Sequence, residues 1–238
     1  MNHNIAIQLR GVSKKYILHH EKPTLVENII KSKQNEQFWA LKNIDLTVRK
    51  GDRVGIIGKN GSGKTTLLEI LARITVPTRG KVTTSGKIVS LIELEAGFHP
   101  ELTGEENIYL NGLLVGMTKR ELNKKLKKII AFADIGSFID APFYTYSEGM
   151  KLRLGFSIVV HTNPEIILLD ENFSVGDKEF STKSYNKIQE FIEEGKTIIM
   201  VSHRMDIIKE KCNKVIWLDK GKIKKIGKIG IVGEYLKS

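Results

Sequence analysis

The sequence predicts an α/β fold, a mainly parallel sheet flanked by helices, with an antiparallel N-terminal β part and an inserted helical subdomain. Three observations predict it. In the second half of the chain, strand-sized apolar runs (Ile166 to Leu169, Ile198 to Val201, Val215 to Leu218) recur, and a helical pattern over Lys183 to Glu194 separates the first two. Near the N-terminus, Ile5 to Leu9, running into Val12 to Tyr16, and then Leu41 to Val48 alternate apolar and polar residues, as half-buried antiparallel strands do. From Thr103 to Asp140 the period becomes helical, and Thr103/Glu106 and Thr118/Glu121 form capping boxes that mark two starts.

The remaining elements follow in order. The polar stretch from Leu18 to Gln37 holds one helix, Thr24 to Lys33, started by the capping box Thr24/Glu27, with Leu25, Val26, Ile29 and Ile30 on one side. The β-branched run Arg53 to Ile57 ends abruptly in glycines and leads into a helix from Thr65 to about Arg73. After the breaks at Pro77 and Gly80, Lys87 to Ile92 reads as a short strand region. Pro142 closes the helical segment, and a further helix, Lys151 to His161, ends at the Asn163-Pro164 turn.

Composition narrows the function classes. Of 238 residues, 38 are Lys or Arg and 27 Asp or Glu, a net charge of +11, while 41% are hydrophobic, enough for a sizeable core. No apolar run approaches the roughly 18 residues of a membrane-spanning helix. Met1 to Asn4 lacks the basic flank and apolar core of a secretion signal, and the single Cys212 can form no internal disulfide, so a soluble cytosolic protein is expected. The lysines of Lys119 to Lys128 alternate with Leu122, Leu126, Ile129 and Ile130 at helical spacing and read as a solvated helix face. Aromatic residues are not interleaved with them, so nucleic acid is not signalled.

Gly58-Lys59-Asn60-Gly61-Ser62-Gly63-Lys64-Thr65 fits the P-loop pattern G-x-x-x-x-G-K-[ST], with a strand before it and a helix after it. Glycines let successive backbone N–H groups turn inward around phosphate oxygens, and the helix N-terminus adds a favourable field. Lys64 reaches the outer phosphates, the Thr65 hydroxyl coordinates Mg²⁺, and Thr66 follows at the helix start. The strand Ile166 to Leu169 ends in Asp170-Glu171; Asp170 suits the Mg²⁺ shell and Glu171 the attacking water. A nucleoside triphosphate with Mg²⁺ is the expected ligand.

Between these motifs, Tyr146-Ser147-Glu148-Gly149-Met150 precedes a helix and resembles the signature motif of ABC ATPases, commonly Leu-Ser-Gly-Gly-Gln. Ser147 and Gly149 match; the Tyr-Ser-x-Gly-Met form is similar to that of ATPase subunits of O-antigen, capsule and teichoic-acid exporters. The run from Leu94 to Tyr109 (LEAGFHPELTGEENIY) is similar to the same subfamily. The resemblance implies the P-loop NTPase ABC-ATPase fold: one domain over 1–238, with a RecA-like core and β part (1–93 and 151–238), a helical signature subdomain (94–150) and an insertion (18–37).

It also implies roles. Tyr16 lies where an aromatic stacks on adenine, with Phe38 and Trp39 as rivals. Ser174 to Asp177 corresponds to the D-loop and His203 to the switch histidine at the γ-phosphate. No glutamine occurs between Gln37 and Gln189, so the usual Q-loop glutamine is absent and Glu93, with Glu95 next, stands nearest to that slot toward Mg²⁺. Ser147, Glu148, Gly149 and Asp177 would contact ATP held by a second copy, so the expected state is an ATP-dependent homodimer. The expected partners are a separate multi-spanning membrane permease, docked near Phe98 to Leu110, and a lipid-linked polysaccharide, with the chain peripheral on the cytoplasmic face of the cell membrane. The Thr24 to Lys33 helix is expected to form an amphipathic gate at that surface.

Two alternatives fit less well. The lobe is too short for the coiled coil of DNA-repair ABC ATPases, and ribosome-acting kinds carry two P-loops. An ABC ATPase for another cargo remains the nearest alternative. The chain's end soon after Tyr235 leads to the expectation that no C-terminal glycan-recognition domain follows.

Overall fold

The computed structural model describes residues 4–18, 36–92, 94–170 and 177–238. The expected Thr24 to Lys33 gate helix, Glu93, Glu171 and Ser174 to Gly176 lie outside these described residues.

Strand β1 (Ile5–Leu18) pairs antiparallel with β2 (Glu36–Arg49) on one side and with β4 (Arg79–Thr84) on the other, giving a three-stranded sheet ordered β2-β1-β4. The alternation seen in the sequence is the cause: Leu9, Val12, Leu41, Ile44, Leu46 and Val48 face inward and are buried. Both strands extend past their apolar cores to Leu18 and Glu36, so Tyr16 and Phe38 pair directly across the hairpin.

The second sheet has six strands, ordered β5-β6-β7-β3-β8-β9: β3 (Arg53–Ile57), β5 (Ile88–Ser90), β6 (Ile166–Leu169), β7 (Thr197–Val201), β8 (Lys214–Asp219) and β9 (Lys222–Gly227). All its pairs are parallel except β8 with β9. Its central strands are apolar on both faces because both faces are covered. Ile166, Leu168, Ile199, Val201, Ile216 and Leu218 join the core shared with the N-terminal sheet and helix α1 (Lys64–Leu71). Their neighbours Ile167, Leu169, Ile198, Met200, Val215 and Trp217 face helices α5 (Lys178–Glu193), α6 (Met205–Lys211) and α7 (Gly230–Leu236).

Between β5 and β6 lie helices α2 (Gly104–Leu114), α3 (Lys119–Ala133) and α4 (Glu148–Val160), with two 3₁₀ turns between α3 and α4. Thr103 and Thr118 cap α2 and α3 through complete capping boxes with Glu106 and Glu121. These helices share a core of their own, including Ile108, Leu122, Ile129, Phe143 and Tyr146. Helix α4 serves two cores: Leu154 and Ile158 pack into the helical cluster, Phe156, Val159 and Val160 against the sheet. It also begins earlier than the sequence suggested, at Glu148, with Ser147 as its N-cap accepting from the Met150 N–H.

Candidate functional site

The loop from Gly58 to Gly63 connects β3 to α1, and its glycines are needed for different reasons. Gly58 sits at φ 155° against the Leu218 backbone, while Gly61 and Gly63 hold the left-handed values 75° and 100°. Ser62 closes the turn by donating its N–H to the Lys59 carbonyl and is itself tied to β9's turn by the Gly221 N–H. The Lys64 side chain is buried and donates to the carbonyls of Gly58 (2.8 Å) and Lys59 (3.1 Å), so its ammonium is drawn back across the loop. The buried Ser62 Oγ has no hydrogen-bond partner among the described residues. That hydroxyl lies against Gly58 inside the loop.

A cavity of about 360 Å³ opens over this loop. Asn60, Gly61, Gly63, Lys64, Thr65 and Thr66 line one side, and Asp170 and His203 another. The strand order explains the convergence: β7 lies between β3 and β6, so the C-terminal ends of three successive strands deliver the P-loop, His203 and Asp170 to one edge. Asp170's strand is therefore not the immediate neighbour of the P-loop strand; it stands one strand away. Among the described residues, no member of the signature motif lines this cavity.

Phe38 lines the cavity and is 50% exposed. Tyr16, its cross-strand partner, is otherwise engaged: Lys14 Nζ lies 5.1 Å from its ring centre, and its hydroxyl donates to Glu69. Trp39 sits beneath Lys15 and Arg79.

The signature residues stand at the N-terminus of α4. Ser147 caps it, Glu148 pairs with Lys151 at 2.7 Å, and Gly149 is in the first turn. The Lys151 ammonium holds Glu148 below the usual carboxylate range. Glu95 shares a side-chain hydrogen bond with Glu148, and burial with that neighbouring charge raises its pKa, so the slot beside Glu93 is linked directly to the signature. Tyr146 is buried, donates to the Phe138 carbonyl, and is pushed up to about 12 by burial and by Asp140.

Asp177 caps α5 by accepting from the Phe180 N–H (3.0 Å), which together with Arg153 keeps its carboxyl ionised to below the usual range. Arg153, which bonds the Asp134 carbonyl and the Asp177 carboxylate, was not singled out in the sequence. Its partners are 19 and 24 residues away, and no local spacing signals such a contact.

Comparison with known proteins places this geometry. The family description "ABC transporter" matches residues 41–174. The chain is 39% identical over 228 residues to the O-antigen export system ATP-binding protein RfbB of Klebsiella pneumoniae, covering 93% of each. It is 50% identical over 197 residues to the teichoic acids export ATP-binding protein TagH of Lactococcus lactis, but spans only 42% of that protein's length; for TagH of Listeria innocua the figures are 44% and 68%. A dimeric bacterial ABC transporter cassette superposes with a TM-score of 0.70 at 25% identity, covering 94% of this chain and 98% of that one. A dimeric post-hydrolysis cassette bound to ADP and phosphate gives 0.71 at 24% identity, covering the same shares. With its P-loop, its mixed sheet and these relatives, the chain belongs to the ABC transporter family.

Proposed function

We propose that this chain is the ATP-hydrolysing subunit of an exporter of lipid-linked polysaccharide, of the teichoic-acid or O-antigen kind. It would work as a homodimer on a separate multi-spanning membrane protein at the cytoplasmic face of the cell membrane. The observation that carries the reading is the near full-length likeness to an O-antigen export ATP-binding protein, 93% of both chains, together with the Tyr146 to Met150 signature form. Among the described residues no helix is long and apolar enough to cross a membrane, which agrees with a borrowed membrane path.

In this account the backbone N–H groups of Gly61 to Thr65 and the Lys64 ammonium bind the phosphates of ATP. Phe38, whose exposed ring lines the cavity, stacks on adenine in preference to Tyr16 or Trp39. Thr65 and Asp170 supply hard oxygen donors on the same cavity and would hold Mg²⁺, with Glu93 assigned to the slot of the usual glutamine from the sequence. Bound there, Mg²⁺ neutralises charge on the transferring phosphoryl group. Glu171 orients the attacking water and His203 contacts the γ-phosphate.

The signature and Asp177 need a second copy to act, since the signature is outside the cavity of its own chain. Ser147, Glu148, Gly149 and the positive end of α4 would close over the partner's ATP, with Asp177 at the same junction. The helical lobe from about Leu94 to Gly149, with Phe98 to Leu110 near the contact, would form the surface for the membrane protein.

A cell whose only copy carries Lys64→Ala tests this. Loss of surface polysaccharide with lipid-linked glycan accumulating inside is expected. Normal surface polysaccharide would contradict the reading.

A further inference from the structure

Asn107, in the first turn of α2, is a polar residue with no exposed surface. Its carboxamide is satisfied at both ends. Nδ2 shares its two N–H groups among the carbonyls of His99 (3.0 Å), Leu102 (3.1 Å) and Thr103 (3.0 Å), while Oδ1 accepts from the His99 N–H (2.8 Å). One side chain therefore holds the backbone turn from Phe98 to Thr103 against the start of α2. An amide is needed there. A carboxylate of the same shape has no donors for those carbonyls, and an apolar side chain also strips the His99 N–H of its acceptor.

The clamped turn is bonded to the segment that leads into the signature. The Leu102 carbonyl that accepts from Asn107 also accepts from the Phe143 N–H (2.9 Å), and the Pro100 carbonyl accepts from the Tyr144 N–H (3.0 Å). The Phe98 ring stacks on Phe143, with centres 4.4 Å and planes 11° apart. Phe143 packs against Tyr146 at 5.1 Å and accepts the Tyr146 N–H at its carbonyl. Gly104, at the start of α2, lets the Tyr146 hydroxyl pass where a Cβ would stand. Ser147, next in the chain, caps α4. From Asn107 to Ser147 each link is a backbone hydrogen bond or a packed ring, so a shift of the turn is passed on to the signature instead of being absorbed by loose side chains.

We infer that Asn107 is a positioning residue for ATP hydrolysis: by clamping the turn Phe98–Thr103 to α2, it sets where Phe143 to Tyr146 place Ser147, and so aligns the signature with the nucleotide of the second copy. The inference rests on the two-copy site proposed above. The same turn belongs to the surface proposed for the membrane protein, so Asn107 stands on a bonded route from that surface to the signature.

The test uses the full chain with Mg²⁺ and ATP, comparing wild type, Asn107→Asp, Phe98→Leu, Asn111→Ala and Ser147→Ala. Turnover, affinity for a fluorescent ATP analogue and melting temperature are read for each. Asn111, one turn along α2, is also buried, but its amide bonds the Asn107 carbonyl of its own helix, so Asn111→Ala removes packing and leaves the clamp. Asn107→Asp should lower kcat about tenfold, while its affinity for the analogue and the kcat of Asn111→Ala each stay within about twofold of wild type. Melting temperature should fall in both, so only positioning separates their turnover. Wild-type turnover in Asn107→Asp, an equal fall in Asn111→Ala, or affinity that falls in step with turnover would overturn the inference. Should Asn107→Asp fail to fold, Phe98→Leu decides, because it loosens the stack on Phe143 without burying a charge. Slowed turnover at unchanged affinity then supports the inference, and unchanged turnover sinks it. Slow Ser147→Ala beside normal Asn107→Asp defeats this inference alone, whereas full turnover in Ser147→Ala defeats the two-copy reading on which it rests.

Discussion

A Cβ placed on Gly58 would lie 2.3 Å from the carbonyl oxygen of Leu218, on the neighbouring strand β8. The first glycine of the P-loop is thus fixed by sheet packing. By contrast, a Cβ on Gly61, at φ 75°, would meet no atom within 4 Å. Gly58→Ala should cost about 2–4 kcal/mol, because backbone on both sides must move. Gly61→Ala should cost only about 1 kcal/mol, the strain of a left-handed alanine. Urea unfolding of the two variants checks this, and equal losses would refute the packing argument.

Tyr146 stands where the common signature has leucine, and its setting explains the exchange. The ring packs against Phe143 and Phe138, and the hydroxyl satisfies the Phe138 carbonyl. Tyr146→Phe should cost about 1 kcal/mol for the lost hydrogen bond. Tyr146→Leu should cost about 2–3 kcal/mol, since it also leaves space in the helical core. Reversal of that order in denaturant melts would show that the hydroxyl, not the ring, is the main contribution.

Phe38→Ala should weaken nucleotide binding up to about tenfold, the loss of roughly 1.5 kcal/mol of stacking. Tyr16→Ala should leave affinity within twofold, as its ring and hydroxyl are committed to Lys14 and Glu69. Titration with a fluorescent ATP analogue distinguishes the two; a larger loss from Tyr16→Ala would return the adenine site to that residue.

His161, at the end of α4, has its pKa lowered below 6.5 by burial first, then by Lys187, Lys125 and Lys128, against a hydrogen bond to the Ser157 carbonyl that raises it. Lys183, on α5, reaches the Phe132 carbonyl, and Phe132 packs edge-on to the His161 ring. Because the folded pKa lies below the unfolded one, the unfolded chain binds the proton more readily. Stability is therefore complete above about pH 6.5 and declines as pH falls toward the lowered value. The melting temperature of wild type should drop more between pH 7.5 and pH 5.5 than that of His161→Gln. Parallel pH profiles would contradict the assignment.

The elements with strong period or punctuation were legible before the structure. Both capping boxes in the helical segment form as expected, and β6 and the apolar part of β8 fall where the apolar runs put them. Strands β4 (RGKVTT) and β9 (KIKKIG) escaped because they are solvent-washed edges with little apolar content. Helix α5 starts at Lys178 rather than Lys183, because its start is fixed by the Asp177 cap, which the sequence argument had read only as part of a loop. Helices α6 and α7 are short and held by tertiary packing of Ile208, Ile231 and Val232, which no local pattern announces. Lys64, Thr65, Asp170 and His203, named from motif and order, line one cavity. Proposing Phe38 rather than Tyr16 for the adenine contact required knowing which of two paired side chains was already engaged, and the long-range contacts of Arg153 required a fold.

The exporter reading is tested most directly by purifying Glu171→Gln from detergent-solubilised membranes with ATP and Mg²⁺ and identifying what accompanies it by mass spectrometry. That chain should bind ATP, stall as a closed dimer, and retain a multi-spanning membrane protein with lipid-linked glycan. Recovery of ribosomal or DNA-associated proteins without any membrane protein would contradict it.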